Sequence, residues 1–139
     1  MSQNRPGLPL PSPRRGEVYW VVIPKQQTEG SEHRDTDEGN PHAYVIVSRD
    51  AVNERLNSYV GVPLSSRLHK ANKTFRPLVK ATDILPDPGH ELKDCVALCD
   101  HIREIAPQRF TGKVGRATMT AMAKIDLAIA FLLAADDSQ

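Results

Sequence analysis

The chain has 139 residues, 40% hydrophobic and 25% charged, with a formal net charge of +1. That is the length of one domain with a modest core, and the composition of a globular protein. The near-neutral total carries no bulk-charge signature for a partner. No apolar run approaches the roughly 18 residues of a membrane span, and the first residues lack the apolar core of a secretory signal, so a cytoplasmic protein is expected.

Residues 1–13 contain Pro6, Pro9, Pro11 and Pro13 and little that packs. They read as a disordered arm before a single domain over 14–135. Residues 17–23, Glu-Val-Tyr-Trp-Val-Val-Ile, predict the first strand, which Pro24 ends. A polar loop then runs to Pro41, with Glu29, Glu32, Asp35, Asp37 and Glu38 against Lys25 and Arg34. Loops this long are usually functional or disordered. Residues 43–48 predict the second strand, 50–56 a short helix capped by Asp50, and 59–64 the third strand. Pro63 cannot donate to a ladder, so an edge or a strand end is expected there. Residues 75–79 predict a weak strand and 84–89 a turn.

Residues 93–100 predict a strand. The apolar run Cys95-Val96-Ala97-Leu98-Cys99 is too short for a helix and suits a strand buried on both faces. Asp100, His101 and Arg103 follow at once. They read either as an acid, an imidazole and a guanidinium presented on a rigid support or as a solvated strand end. Cys95 and Cys99 fall on one face of that strand, too far apart to bridge, and read as reduced core thiols. A Cys-x3-Cys spacing without a second ligand pair is a weak zinc signal. Residues 102–105 and 113–115 continue the strands on either side of a Pro107-Gln108-Arg109 turn. The last segment predicts the one long helix, with Thr118 as N-cap and Met122, Ile125, Ile129 and Leu132 at helical spacing. Such a stripe must pack on a sheet. Five or six short strands and a terminal helix imply a small, curled, barrel-like sheet.

From Arg55 to Thr82 there is no carboxylate, while Arg55, Arg67, Lys70, Lys73, Arg76 and Lys80 all fall there, with His69, Tyr59 and Phe75. A surface of one sign beside exposed rings suits single-stranded nucleic acid; a solvated lysine-rich loop reads equally well. There is no phosphate-cradling glycine loop, nucleophile elbow or His-Glu-x-x-His pair. His33, His42, His69, His90 and His101 have no ligand-like spacing, so neither a metal nor a cofactor is expected.

Several segments together resemble the MazF/PemK family of toxins, the RNA-cleaving halves of bacterial toxin–antitoxin pairs. Arg15-Gly16-Glu17-Val18-Tyr19-Trp20-Val21 resembles the family's first strand, and Gly30-Ser31-Glu32 its Gly-Ser-Glu loop. Val47-Ser48 with Asn53 resembles the end of its second strand. Val60-Gly61-Val62-Pro63-Leu64-Ser65-Ser66 resembles its Val-Pro-(Ile/Leu)-(Thr/Ser)-Ser strand, and the segment from Cys95 to Arg103 its Val-x-Leu-Cys-Asp-Gln-Ile-Arg run. Val114-Gly115-Arg116 and the helix resemble its close. The resemblance covers roughly Arg14 to Leu133.

This resemblance implies a mainly β fold, an SH3-like small barrel with a C-terminal helix, working as a homodimer. It implies metal-independent cleavage of single-stranded RNA at short sequences, countered by a cognate antitoxin. Position by position, Ser65 matches the catalytic or substrate-contacting Thr/Ser, Glu32 the loop Glu, and Asp100 a carboxylate that some members use as a base. Ser66, Arg67, Lys70, Lys73, Arg76 and His101 are expected to contact RNA. The family's Gly-x-Arg-Pro before the second strand is replaced by Gly39-Asn40-Pro41-His42. Arg34 or His42 is expected to stand in for its phosphate-stabilising Arg. The alternative is a non-cleaving module of the same fold that grips RNA or a protein. The acidic stretch 29–38 is expected to lie beside the groove and to be able to cover it.

Overall fold

The computed structural model describes residues 12–24 and 39–134. Among the described residues there are eight short strands: β1 (Glu17–Val22), β2 (Pro41–Ile46), β3 (Tyr59–Ser65), β4 (Leu78–Val79), β5 (Ile84–Pro86), β6 (Cys95–Ala97), β7 (Arg103–Ile105) and β8 (Phe110–Ala117). Helix α1 (Asp50–Leu56) links β2 to β3, and α2 (Met119–Leu132) follows β8. The strands pair in the order β4-β6-β3-β2-β1-β8-β5, with β7 also on β3. Every pairing is antiparallel. The result is a nearly closed barrel with a C-terminal helix, the architecture the sequence implies. Of the expected arm, only Ser12 and Pro13 are among the described residues, and the loop residues 25–38 lie outside them.

The curl has a cause in β1. Side chains alternate across a strand, so one that is apolar at successive positions needs cover on both faces. Val18 faces a core with Val45, Val62, Val114 and three residues of α2, Ala121, Ile125 and Ala128. Tyr19 and Val21 face a second core with Tyr44, Ile46, Tyr59, Ile105 and Phe110. There the Phe110 ring meets Tyr19 at 5.3 Å and Tyr59 at 5.1 Å, both edge to face, the arrangement aromatic quadrupoles favour. Two register shifts between β1 and β8, at Val18/Tyr19 and Trp20/Val21, bend the ladder so that it wraps around this second core.

The helix begins as expected: the Thr118 hydroxyl accepts the Ala121 N–H at 3.2 Å. Its buried line is Ala121, Ile125 and Ala128, with Met122, Ile129 and Leu132 packed at the flanks. The line lies one position to the side of the expected stripe, because alanines let the helix sit close to the sheet while larger side chains fill the margins. No helix among the described residues is long and apolar enough to cross a membrane.

Four local expectations are corrected. The strand over 93–100 is only Cys95–Ala97; Cys99–His101 form a 3₁₀ turn, in which the His101 N–H reaches Leu98 O at 2.8 Å. Pro63 lies inside β3 rather than at its end. Its missing N–H is tolerated because β7 pairs β3 only at Tyr59–Gly61 and β6 only at Leu64 and Ser65, leaving a gap at Pro63. The expected turn over 84–89 includes a strand, since Ile84, Leu85 and Pro86 pair with Ala117, Arg116 and Gly115. The weak strand over 75–79 shortens to Leu78–Val79, and Arg76 instead bridges Asn72. Both thiols are free. Burial, then the charges of Asp94 and Asp83, push Cys95 up to about 11; burial, then Asp100 and Asp126, push Cys99 up to about 12.

Candidate active site

β2 and β3 run side by side with Tyr44 opposite Pro63 and Ile46 opposite Gly61. Carrying that register two residues further sets His42 opposite Ser65, on the same face as Tyr44 and Gly61. β7 adds Arg103, directly opposite Gly61. An imidazole, a hydroxyl, a phenol and a guanidinium therefore share one face of three paired strands. A cavity of about 450 Å³ opens there, lined by His42, Tyr44, Ser65, Arg67, Lys70 and Arg103 among others.

The Ser65 hydroxyl oxygen accepts the Arg67 N–H at 3.1 Å, which leaves its own O–H to donate. His42 Nε2 is buried with no hydrogen-bond partner among the described residues, and so is Arg103 Nε. The Arg103 guanidinium hydrogen-bonds the Tyr44 hydroxyl. Burial raises the Tyr44 phenol above its ordinary range, and the charge and hydrogen bond of Arg103 pull it only part of the way back. The cavity wall carries four cations, Arg67, Lys70, Lys93 and Arg103, against two carboxylates, Glu91 and Asp94. Asp94 already accepts the Ala81 N–H at 2.8 Å. Trp20, 38% exposed, adds a ring to the wall. Such a cavity attracts a polyanion and offers polar hydrogens to one phosphate.

Among the residues named from sequence, His42, Ser65, Ser66, Arg67 and Lys70 meet at this cavity. Glu32 and Arg34 lie outside the described residues, although the ends of their segment come to the rim, where Gly39 N–H donates to Ile23 O at 3.1 Å. Asp100 does not join the cavity. Its carboxylate is held by Arg76, from Nε at 2.9 Å and Nη2 at 2.7 Å, with His101 Nε2 at 3.7 Å. Lys73 and Arg76 instead line a second cleft of about 390 Å³ beside α2, with Lys124 and Leu127. The basic block of the sequence is thus divided between two surfaces. Sequence reasoning missed Tyr44, and it offered Arg103 only as one of two readings of a strand end, without a role. The signal was their common parity with Ser65, which needs the strand register to read.

A comparison with curated proteins gives no match. Solved structures with the same fold include an endoribonuclease in complex with its cognate antitoxin from a Mycobacterial species, 23% identical, TM-score 0.62, covering 91% of this chain and 99% of that one. MazF from Deinococcus radiodurans is 20% identical with TM-score 0.62, over 88% of this chain and 96% of its own. A MazF toxin of Mycobacterium tuberculosis is 13% identical with TM-score 0.59, over 86% and 99%. Likeness at this identity concerns the fold. The family assignment comes from the sequence itself, because the model for PemK-like, MazF-like toxins of type II toxin–antitoxin systems matches residues 14–133. That span contains both cores and every strand of the cavity, so the chain belongs to this toxin family.

Proposed function

We propose that the chain is a metal-independent endoribonuclease toxin that cuts single-stranded RNA, acts as a homodimer and is neutralised by a cognate antitoxin. The observation that carries this reading is that His42 and Ser65, on neighbouring strands β2 and β3, line one cavity walled by cations. In the reaction, a ribose 2′-oxygen attacks the adjacent phosphorus while the P–O5′ bond breaks. One proton leaves the 2′-OH and one reaches the 5′-oxygen, giving a 2′,3′-cyclic phosphate and a 5′-hydroxyl. His42 Nε2 is the proton carrier. The Ser65 O–H donates to a non-bridging oxygen, Arg67 and Lys70 hold flanking phosphates, and Trp20 gives a base a face to stack on. Protein cations here do the charge-neutralising that a metal does in other nucleases. Glu32, which the family resemblance supplies, and Arg34, the nearest upstream cation to the missing family arginine, are the further candidates.

The test is a long single-stranded RNA incubated with purified protein in excess chelator, with both product ends mapped. The expected result is cleavage with 5′-hydroxyl and cyclic-phosphate ends, reduced by roughly 10²–10³ in kcat for His42→Ala and for Ser65→Ala. Activity that returns only with magnesium, or 3′-hydroxyl products, overturns the reading. A non-cleaving RNA-binding module is the second reading. It is favoured by the absence of arginine from Gly39-Asn40-Pro41-His42, and tight RNA binding without new ends would establish it.

A further inference from the structure

We propose that Arg103 binds the scissile phosphate and stabilises its charge in the transition state, the role left open by the absence of an arginine at 40–42. The inference rests on the nuclease reading for its catalytic part. Its binding part stands on the cavity itself.

Arg67 and Lys93 are exposed, where water screens their charge, and half-buried Lys70 offers a point charge on a flexible stem rather than a planar fork. Arg103 is different in three respects. Its backbone is fixed in β7, in register with Gly61 of β3. Its guanidinium is anchored by the Tyr44 hydroxyl. Its Nε is buried and has no hydrogen-bond partner among the described residues. A guanidinium is always charged and carries five N–H donors in one plane, the shape that meets two phosphate oxygens at once. A half-buried cation with a donor to spare, held before the reaction begins, is the arrangement in which electrostatic stabilisation is largest.

Gly61 makes the arrangement possible. A Cβ there would come within 2.7 Å of Ile105 Cδ1 and 3.3 Å of Tyr44 Cδ2. The bare backbone lets the Tyr44 ring lie across β3 and reach the arginine on the next strand. Tyr44 is therefore a positioning residue. Arg103, His42 and Ser65 then form three sides of one phosphate site: a cation, a proton carrier and a hydrogen-bond donor, all on the same face of β7, β2 and β3.

The experiment compares wild type, Arg103→Met, Arg103→Lys and Tyr44→Phe, each checked by thermal melting. Cleavage is read as kcat and KM separately. Binding is read by the Arg103 Nε–H NMR resonance of the wild type during titration with a single-stranded oligonucleotide carrying a 2′-deoxy sugar at the cleavage position. Arg103→Met is expected to lower kcat by roughly 10²–10³ with a much smaller change in KM. Arg103→Lys should recover part of the loss, since a point charge replaces a fork. Tyr44→Phe should lower kcat by about tenfold and shift the resonance of the free protein, because the guanidinium loses its anchor. In the wild type the Nε–H resonance should move on titration. If wild type cleaves RNA but Arg103→Met cleaves equally well, or the Nε–H resonance does not respond to the oligonucleotide, the proposal is overturned and the nuclease reading survives. If wild type does not cleave RNA, the nuclease reading falls, and with it the catalytic role of Arg103; a responding resonance would then support phosphate binding alone. Should Arg103→Met fail to fold, the Arg103→Lys kinetics and the wild-type titration decide the question.

Discussion

Both oxygens of Asp100 are already engaged, since Arg76 donates to each of them. Burial works to raise this carboxyl, but the Arg76 hydrogen bonds, a backbone hydrogen bond and the charge of His101 outweigh it and hold the group below its ordinary range. A carboxylate so stabilised is a weak proton acceptor, which argues for a structural role. A depressed carboxyl stabilises the fold at pH values above its unfolded-state pKa, and the contribution is lost as pH falls through the lower folded value. Asp100→Asn is therefore expected to cost roughly 1–3 kcal/mol at neutral pH by urea denaturation, with kcat unchanged. The gap from wild type should close as pH falls below about 4. A collapse of kcat with stability intact would instead make Asp100 the base that motif order suggests. Ser65, Arg67 and Lys70 were legible in the sequence because their places depend on one strand and the residues just after it. The partner of Asp100 was not, since Arg76 lies 24 residues away, and neither was the weight of Arg103, which depends on what stands across the ladder.

Among the elements, legibility followed a continuous pattern of side chains more than length, since β8, the longest strand, was read only over 113–115 because Thr111, Gly112 and Gly115 break its apolar run. β1, β2, β3 and α2 have enough residues for their period to show, and the Thr118 cap was readable as well. β5 was hidden beneath the turn signals of Pro86, Pro88 and Gly89, because three residues carry no period of their own. What holds β5 in place is a glycine on its partner strand. A Cβ on Gly115 would sit 2.4 Å from Leu85 O and 3.0 Å from Pro86 Cα, both backbone atoms. Neither can move aside without lifting β5 from β8. Gly115→Ala is expected to lower stability by about 1–3 kcal/mol, read as a drop in denaturation midpoint. Amide exchange should accelerate at Ala117, whose N–H donates to Gly16 O at 2.7 Å beside this pairing. Unchanged stability would mean that the strand pair relaxes more easily than this contact allows.

For the molecule as a whole, a barrel of this size leaves apolar surface uncovered. Met119 is 89% exposed, Leu127 68% and Leu133 67%, all on or just after α2. Exposed apolar residues concentrated on one element mark a surface that associates, and a closed two-fold pair is the commonest way to cover it. Light scattering of purified protein at micromolar concentration is expected to give the mass of a dimer; a monomer under those conditions would remove this part of the proposal. The division of the basic block also has meaning at this scale. Arg67 and Lys70 serve the cavity, while Lys73 and Arg76 face the cleft beside α2, so neutralising the two pairs separately should affect RNA affinity unequally, with the larger loss from the first pair.

The cysteines of β6 and the turn after it provide a measure of this cavity that requires no turnover. Cys95 lies on the cavity wall and Cys99 is wholly buried, and both thiols resist ionisation at neutral pH. Alkylating reagents attack the thiolate, so labelling of the native protein is slow, through the cavity for Cys95 and only after opening of the fold for Cys99. Cys95 should react first and Cys99 only on deeper unfolding. Any molecule that fills the cavity, RNA or antitoxin, should slow the Cys95 reaction in proportion to its occupancy, making this residue an internal gauge of whether the toxin is engaged.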